Sequence, residues 1–515
     1  MDVSLDSLPL LLRFNNHLFS VILTVLIFFA VKACFHKRSS SRFSNMKLPP
    51  GPKPLPVLGN MHLLRGGMLH VVLRDLAKTY GPICHLKLGQ ISLVSVSSSE
   101  VAKEILKTQE LMFAQRDKLP ILEMTSFDHS SPAFAPYGEY WRTIKKIYMT
   151  ELFSPGRLRN FRSLREMEIK GLVESVYSTA GLPFSLSEMI VASANSIISK
   201  ASFGSQCKRA ENYLSAVTEQ FRLAGQFSLP MVFPSLQFLY HLDGTKSKMS
   251  RFNAIYDDIL GSIIADSRNR AKSLDHSSSY KENLADVLLR LQESPETRIS
   301  LTDNTIKDVI LDIINGGTDT SPTAVEWALS EMLKNPDVMK RAQTELRDAL
   351  KGKPVLEESD LEKIKYLKLI IKETFRLHPP ATMFGRVMRE DCSIHRYDIP
   401  KDSLVVINAW SMGRDPNYWE NPEKFYPERF LGSSIDLAGK HFEFLPFGMG
   451  RRMCPGMGFA LANMELTLAN LMYYFDWQLA NGLPPAELDM AELSGQVTKR
   501  LNPLLVVATP HQPTA

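Results

Sequence analysis

The sequence predicts a mainly helical fold with small β-sheets, held to a membrane by an N-terminal anchor. Three observations predict it. Residues 14–31 form an apolar run between Arg13 and Lys32, close to the ~20 residues a spanning helix needs. Stretches such as 161–178, 255–268 and 336–350 read as helices. Strand-like patches are few and short, at 82–97, 397–407 and 504–507. Composition agrees with a large globular chain: 515 residues, 44% hydrophobic and 22% charged. Such usage excludes wholesale disorder and collagen-like repeats. No period of ~20–50 residues appears, which argues against a solenoid. The net charge of +5 is too dilute for a nucleic-acid partner, and none is expected. The five cysteines are scattered without paired spacing, so reduced thiols facing the cytosol are expected rather than a disulfide scaffold.

The elements follow in chain order. Residues 1–36 read as a single-pass signal anchor. Lys32, His36, Lys37, Arg38 and Arg42 follow the apolar run, and the positive-inside rule places everything after them in the cytosol. A cleaved signal peptide fits poorly, because its cations would precede the run and an A-x-A-like site would end it. Residues 37–56 are a basic and Pro-rich hinge, stiffened by Pro49, Pro50, Pro52 and Pro54. The soluble unit spans 57–515. Within it, 83–88 and 91–96 read as a hairpin turned at Gly89-Gln90. Residues 268–283 are polar and read as a surface loop. A long helix spans 304–334, ending before Asn335-Pro336.

The strongest chemical signal is Phe447-Gly-Met-Gly450-Arg-Arg452-Met-Cys454-Pro-Gly456. A lone cysteine is usually an inert buried residue. Here Gly450 and Gly456 let the backbone bend close under a flat macrocycle. Backbone N–H groups in such a loop can hold the sulfur as thiolate, and Arg452 supplies a cation for a propionate. Pro455-Gly456 opens a helical run whose positive dipole end would lie near the sulfur. Cys454 therefore reads as a haem thiolate ligand, a ligation that favours O–O cleavage.

The second signal lies in the long helix, at Gly316-Gly-Thr-Asp319-Thr320-Ser-Pro322. Two mid-helix glycines cost about 1 kcal/mol each relative to alanine, and Pro322 removes the hydrogen bond to the Thr318 carbonyl. A break there leaves room for a small molecule beside Asp319 and Thr320. Glu373-Thr-Phe-Arg376 places two charges at i,i+3 on a helix, and Pro427-Glu-Arg429-Phe follows about fifty residues later.

Together these stretches resemble the cytochrome P-450 superfamily. The cysteine loop matches Phe-x-x-Gly-x-Arg-x-Cys-x-Gly, and the helix break matches the oxygen-activation motif. The resemblance implies the P-450 fold, with haem b on Cys454 and Phe447, Arg452 and Gly456 around it. Thr320 would hydrogen-bond dioxygen, and Asp319 would feed protons through water. Glu373, Arg376 and Arg429 would form a buried charge network. Trp141-Arg-Thr-Ile-Lys145 resembles the helix whose ends bind a propionate, with lysine in place of arginine. Arg386 matches a further propionate ligand. The wording around Phe113-Ala-Gln-Arg116 and Tyr137–Trp141 is that of plant A-type microsomal members, in the group rich in terpenoid oxidases.

That resemblance implies a monooxygenase of the endoplasmic reticulum membrane, with its catalytic unit in the cytosol. It would use O2 and electrons from an NADPH-cytochrome reductase, since the chain carries no dinucleotide fingerprint. Arg142, Lys145, Lys146 and Arg451 would suit an acidic partner. By family position the pocket takes in Ile121, Phe127, Phe227, Ile313, Asn315, Met383, Phe384 and Val497, a lining for an apolar small molecule. A terpenoid leads, ahead of an alkaloid or phenolic. An O2-independent isomerase or dehydratase, or a non-catalytic haem protein, is the alternative class. Two departures stand out. Residues 381–386 are one residue shorter than in the group, with Gly385 where proline is usual. Arg396 stands where glycine usually precedes Tyr-Asp-Ile-Pro, at a turn needing positive φ.

Overall fold

The computed structural model describes residues 46–511, except 117–119, 205–209, 226–227, 274–280, 296–298 and 352. The expected anchor and the first part of the hinge lie outside the described residues. Among the described residues, no helix is long and apolar enough to cross a membrane.

In chain order the first half holds α1 (Leu69–Tyr80), β1 (Ile83–Leu88), β2 (Ile91–Val96), α2 (Glu139–Ile147), α3 (Arg162–Ser178), β3 (Pro183–Ser185), α4 (Leu186–Phe203), α5 (Ala210–Ala224), α6 (Thr245–Ser273) and α7 (Leu284–Glu293). The second half holds α8 (Asp303–Thr318), α9 (Thr320–Lys334), α10 (Pro336–Ala349), α11 (Tyr366–Leu377), β4 (Phe384–Val387), β5 (Cys392–Ile394), β6 (Tyr397–Ile399), β7 (Leu404–Ile407), α12 (Met457–Tyr474), β8 (Phe475–Leu479), β9 (Glu492–Leu493), β10 (Lys499–Arg500) and β11 (Leu505–Pro510). Shorter helical turns connect them.

Caps set the helix starts. The Asn283 side chain accepts the Asp286 N–H while Asp286 accepts back at Asn283, a capping box opening α7. Thr302 Oγ1 accepts the Thr305 N–H at 3.0 Å to open α8. The stretch of α9 from Pro322 to Leu333 is buried throughout, as expected of a helix wrapped by others on every side. It packs with α4, α8, α11 and α12 into the main core, where Trp327 is fully buried.

The main sheet runs β1-β2-β7-β4. The β1–β2 hairpin has the expected register, Leu88 opposite Ile91. Gly89 takes φ +55 and lies against the Val232 carbonyl, which a Cβ would meet at 2.6 Å. Strand β4 pairs antiparallel with β7, so the shortened segment carrying Gly385 and Arg386 is a regular edge strand. Residues of the Pro-rich segment are docked on two sheets, the β5–β6 pair and β1 of the main sheet. The Lys47 N–H donates to the Asp398 carboxylate at 2.8 Å, and the His85 N–H donates to the Pro50 carbonyl at 2.9 Å.

Two local expectations meet the structure differently. Arg396 does take positive φ, +70, with His395 at +48 beside it in the β5–β6 turn, a conformation that costs a side-chain-bearing residue about 1–2 kcal/mol. The polar run expected to be loop from 268 instead continues α6 to Ser273. Two of its arginines are paired, Arg268 forking onto Asp303 at 2.6 and 3.0 Å and Arg270 reaching Asp286 at 3.2 Å; residues 274–280 of the run lie outside the described residues.

Candidate active site

Cys454 sits in a loop between Phe447 and α12, closed by the Cys454 N–H on the Phe447 carbonyl at 3.0 Å. Gly448 and Gly450 both take positive φ, +67 and +72. At Gly450 the positive φ disfavours any side chain, and a Cβ would press on the Leu106 carbonyl at 3.1 Å as well as on the Glu110 carboxylate. Glu110 in turn accepts from the Arg451 backbone and guanidinium, so the loop is fastened from outside. Phe447 packs on Phe375, ring centroids 5.0 Å apart.

The thiol has accessible surface although it lies deep in the chain. Burial pushes its pKa up, while the Gly456 N–H, the Lys145 and Arg116 cations and the Met457 N–H pull it down. Lys145 on α2 donates to the Met453 carbonyl at 2.6 Å. Burial draws Lys145 down to about 8, against the pull of Cys454. It therefore points inward beside the thiol, whereas Arg142, Lys146 and Arg451 are exposed.

Around the thiol loop lie three further buried cationic groups. Arg452 donates to the Ala114, Pro132 and Ala135 carbonyls at 2.9, 3.0 and 2.6 Å. It also stacks on Trp141 at 4.4 Å. Trp141 itself donates to the Pro132 carbonyl at 3.0 Å. Arg386 on β4 donates to the Gly385 carbonyl at 2.9 Å. The buried Nε of Arg116 has no partner among the described residues. Burial presses all three guanidinium pKa values down, and neighbouring guanidiniums add to it at Arg452, lowered to about 9, and at Arg386, lowered well below its ordinary value. A guanidinium nevertheless keeps its proton in proteins. The result is a buried positive field: among the described residues, no carboxylate lies within salt-bridge distance of any of the three.

That observation tests the fit of a haem. A dianionic macrocycle edge matches buried, uncompensated cations, and a single accessible thiol matches one axial ligand position. No group of three or more His, Cys, Asp or Glu that could hold a bare metal occurs among the described residues. The residues therefore fit the group. Cys454 would ligate the iron, coordination deprotonates a thiol outright, and Arg116, Arg386 and Arg452 would face its propionates.

The long helix is broken as its sequence demands. Asp319 separates α8 from α9 with φ −109 and ψ −36. Thr320 Oγ1 donates back to the Gly316 carbonyl at 2.7 Å. Gly316 meets nothing within 4 Å, whereas a Cβ on Gly317 would lie 3.0 Å from Ile198. One glycine therefore opens the break and the other packs it onto α4. Asp319 pairs with Lys499 Nζ at 2.7 Å.

A cavity of about 260 Å³ adjoins this break, lined among others by Asp312, Asn315, Gly316, Asp319, Thr320 and Val497. Phe221, Phe134 and Leu311 supply apolar walls. Its lining is more polar than the sequence suggested, because two carboxylates of α8 pin the 126–133 segment over it. Asp308 accepts from Phe127 N–H at 2.9 Å and from Ser126 and Ser130 hydroxyls at 2.8 and 3.0 Å. Asp312 accepts Ser131 Oγ at 2.7 Å and Ala133 N–H at 3.0 Å. Burial pushes Asp312 up to about 7. Arg116 feels both Asp312 and Cys454, which connects this wall to the thiol loop.

Of the predicted lining residues, Asn315 and Val497 meet this cavity. Ile121 instead packs with Ala224 and Met249, and Ile313 is buried in the main core. Phe127 packs against that core too. Met383 and Phe384 pack around the sheet. Phe227 lies outside the described residues. Helical and strand periodicity marks an apolar face without saying whether it meets core or cavity.

The three network residues are brought together. Arg376 forks onto Glu373 at 2.8 and 2.9 Å, and Arg429 Nε reaches Glu373 at 2.9 Å. Arg376 also donates to the Gly413 and Pro422 carbonyls at 2.6 Å each. Glu373 and Arg376 are at most 1% exposed. Sequence reading missed Arg116, Asp308 and Lys499 as site residues. Arg116 had a signal, a cation in the quoted Phe113-Ala-Gln-Arg116 stretch, but Lys499 had none.

Comparison with known proteins agrees. A family model described as Cytochrome P450 matches residues 49–505. A melianol synthase of Citrus sinensis is 46% identical over 496 residues, 96% of each chain. Tabersonine 6,7-epoxidase isoform 1 of Catharanthus roseus is 42% identical over 485 residues, covering 94% of this chain and 96% of its own. The premnaspirodiene oxygenase of Hyoscyamus muticus is 42% identical over 498 residues, 96% and 99% of the two chains. Among solved structures, a zebra fish cytochrome P450 with progesterone shares the fold, with TM-score 0.73 at 22% identity over 86% of this chain and 99% of that one. With a thiol loop among uncompensated cations, a buried charge network and a broken long helix in one helical fold, the chain belongs to the cytochrome P450 family of haem-thiolate monooxygenases.

Proposed function

We propose that the chain inserts one oxygen atom into a C–H bond or double bond of a terpenoid, with electrons from an NADPH-cytochrome reductase at the endoplasmic reticulum membrane. The observation that carries the reading is the accessible Cys454 thiol among uncompensated buried cations, with Arg116 linking it electrostatically to the cavity wall. Similar relatives named for melianol and premnaspirodiene support the terpenoid class. In this reading residues 1–36 anchor the chain, 37–56 join it to the catalytic unit, and 57–515 form that unit.

Haem bound on Cys454 would supply the oxygen-activating iron. The chain's residues do the rest. Hydroxylation consumes one O2, two electrons from NADPH and two protons, and releases the second oxygen atom as water. Asp319 holds a carboxylate at the break for proton delivery, and Thr320 holds a hydroxyl beside it. Arg116, Arg386, Arg452, Trp141 and Lys145 fix the macrocycle edge and the thiol loop. Glu373, Arg376 and Arg429 hold the fold beneath. Exposed Arg142, Lys146 and Arg451 offer the reductase a basic face.

The carboxylates on the cavity wall favour one second reading, an amine-bearing alkaloid. A tabersonine epoxidase among the relatives supports it. Two features weigh against it: Asp308 is saturated by hydrogen bonds, and Asp312, raised to about 7, is a weak anion. The test is turnover in microsomes containing a plant reductase and NADPH, with triterpenoids, premnaspirodiene and tabersonine as probes. A terpenoid product heavier by one oxygen supports the leading reading. Turnover of tabersonine alone moves the substrate to the alkaloids. Turnover without NADPH overturns the reaction.

A further inference from the structure

Among the described residues, the Asp319 carboxylate has one salt-bridge partner, Lys499 Nζ at 2.7 Å. The pair is shielded but not sealed: the Lys499 side chain is 36% exposed and that of Asp319 is 14% exposed. Lys499 sits on β10, directly after a segment that forms the cavity wall. Gln496 and Val497 line the cavity together with Asp319 and Thr320. Thr498, between wall and lysine, is buried and held on both sides: its N–H donates to the Pro380 carbonyl at 2.9 Å, and its carbonyl accepts Trp327 Nε1 at 3.2 Å. The lysine backbone is therefore fixed, and its ammonium has little choice of carboxylate. The nearby Glu326 on α9 is already served by the Ser187 hydroxyl and by Arg500. Asp308 and Asp312 on α8 are bound to the 126–133 segment.

We propose that Lys499 is a positioning residue for the reaction, holding the Asp319 carboxylate in one place at the helix break and so tying proton delivery to the Gln496–Val497 wall. The inference rests on the reading of Asp319 as the proton-delivering group. An aspartate at a break, with no side-chain capping bond of its own, would otherwise be free to rotate. An ammonium at 2.7 Å selects one rotamer through a charge-assisted hydrogen bond. A misplaced proton donor lets reduced oxygen escape as peroxide, O2 taking two electrons and two protons without reaching substrate.

Lys499→Met removes the charge and keeps the length, and Lys499→Arg keeps the charge. The reconstituted full chain is given reductase and NADPH without substrate, and peroxide released per NADPH is compared with water formed. Lys499→Met is expected to raise the peroxide share about threefold to tenfold, an effect of lost positioning, and to enlarge the solvent isotope effect. Lys499→Arg is expected to restore both. Asp319→Asn is expected to raise the peroxide share at least as much. The double variant is expected to be no worse than Asp319→Asn, the non-additivity of residues acting as a unit.

An independent readout is the crystal structure of each variant: the Asp319 carboxylate is expected to keep one rotamer in wild type and in Lys499→Arg, and to take more than one in Lys499→Met. If Asp319→Asn leaves the peroxide share unchanged, the reading of Asp319 fails and the inference falls with it. If Asp319→Asn uncouples but Lys499→Met leaves peroxide, isotope effect and rotamer at wild-type values, the inference alone is overturned.

Discussion

Two buried clusters of arginine stand on the two sides of this molecule's chemistry, and they are built oppositely. Around Glu373, both arginines share one carboxylate. Arg376 makes a two-pronged pair with the carboxylate and caps carbonyls of the loop below, and Arg429 completes it. Around Cys454, Arg116, Arg386 and Arg452 repel one another without a carboxylate in reach. Residue type and burial are alike, so partners alone separate a strut from a site. A satisfied network is strongly destabilised by losing one member. An uncompensated cluster costs the folded chain and is stabilised by an anionic ligand.

The comparison can be broken in several places. The largest effect belongs to Cys454→Ser, which should abolish the thiolate carbon-monoxide spectrum and all turnover while the chain stays folded by circular dichroism. Next, Arg376→Met should destabilise by about 3–5 kcal/mol, because it strands the Glu373 carboxylate. Denaturant unfolding of the haem-free chain would measure this. In the same assay Arg386→Met should have the opposite sign, a gain of about 1 kcal/mol from removing an unpaired buried charge. Its haem affinity should fall by about 10- to 100-fold, as when a supporting contact to a metal group is lost. Equal destabilisation by the two methionine variants would erase the distinction drawn here.

A third buried group extends the contrast to pH. Burial would raise Glu492, but the His378 ring at 3.6 Å and the hydrogen bond with His70 at 3.2 Å win and draw it down to about 2. A carboxylate depressed in the folded chain adds stability above its unfolded pKa, and that stability is lost as pH falls. The window runs from about 4.5, its ordinary value, down to about 2. Unfolding of wild type should steepen across that window, and Glu492→Gln should flatten the profile there. The smallest effect is Arg396→Gly. Relief of the positive-φ turn should add about 0.5–1 kcal/mol, less the entropy glycine brings to the unfolded chain.

The parts legible in the sequence are those set by neighbours along the chain. Gly450 and Cys454 lie in one loop. Gly316, Gly317 and Pro322 lie within one helix, and the break at Asp319 follows from backbone chemistry alone. Glu373 and Arg376 face each other because i and i+3 share a helix face. Arg396 takes its strained φ in a turn the sequence had flagged. The cavity was harder to read. Ile121 and Ile313 are apolar at the right positions, yet neighbours from distant segments cover them with core. The polar wall arises because Asp308 and Asp312, one turn apart on α8, meet hydroxyls and N–H groups of the 126–133 segment.

The sequence by itself determined the helical class, the thiol loop, the broken helix and the Glu373–Arg376 spacing, since each depends on local spacing and backbone freedom, while Arg429 entered through the family resemblance. The tertiary structure decided which cations go unpaired around Cys454, that Lys145 turns inward, and that Lys499 meets Asp319. Those outcomes depend on which distant segments the packing brings within a few ångströms, and electrostatic pairing is set by that distance rather than by residue type.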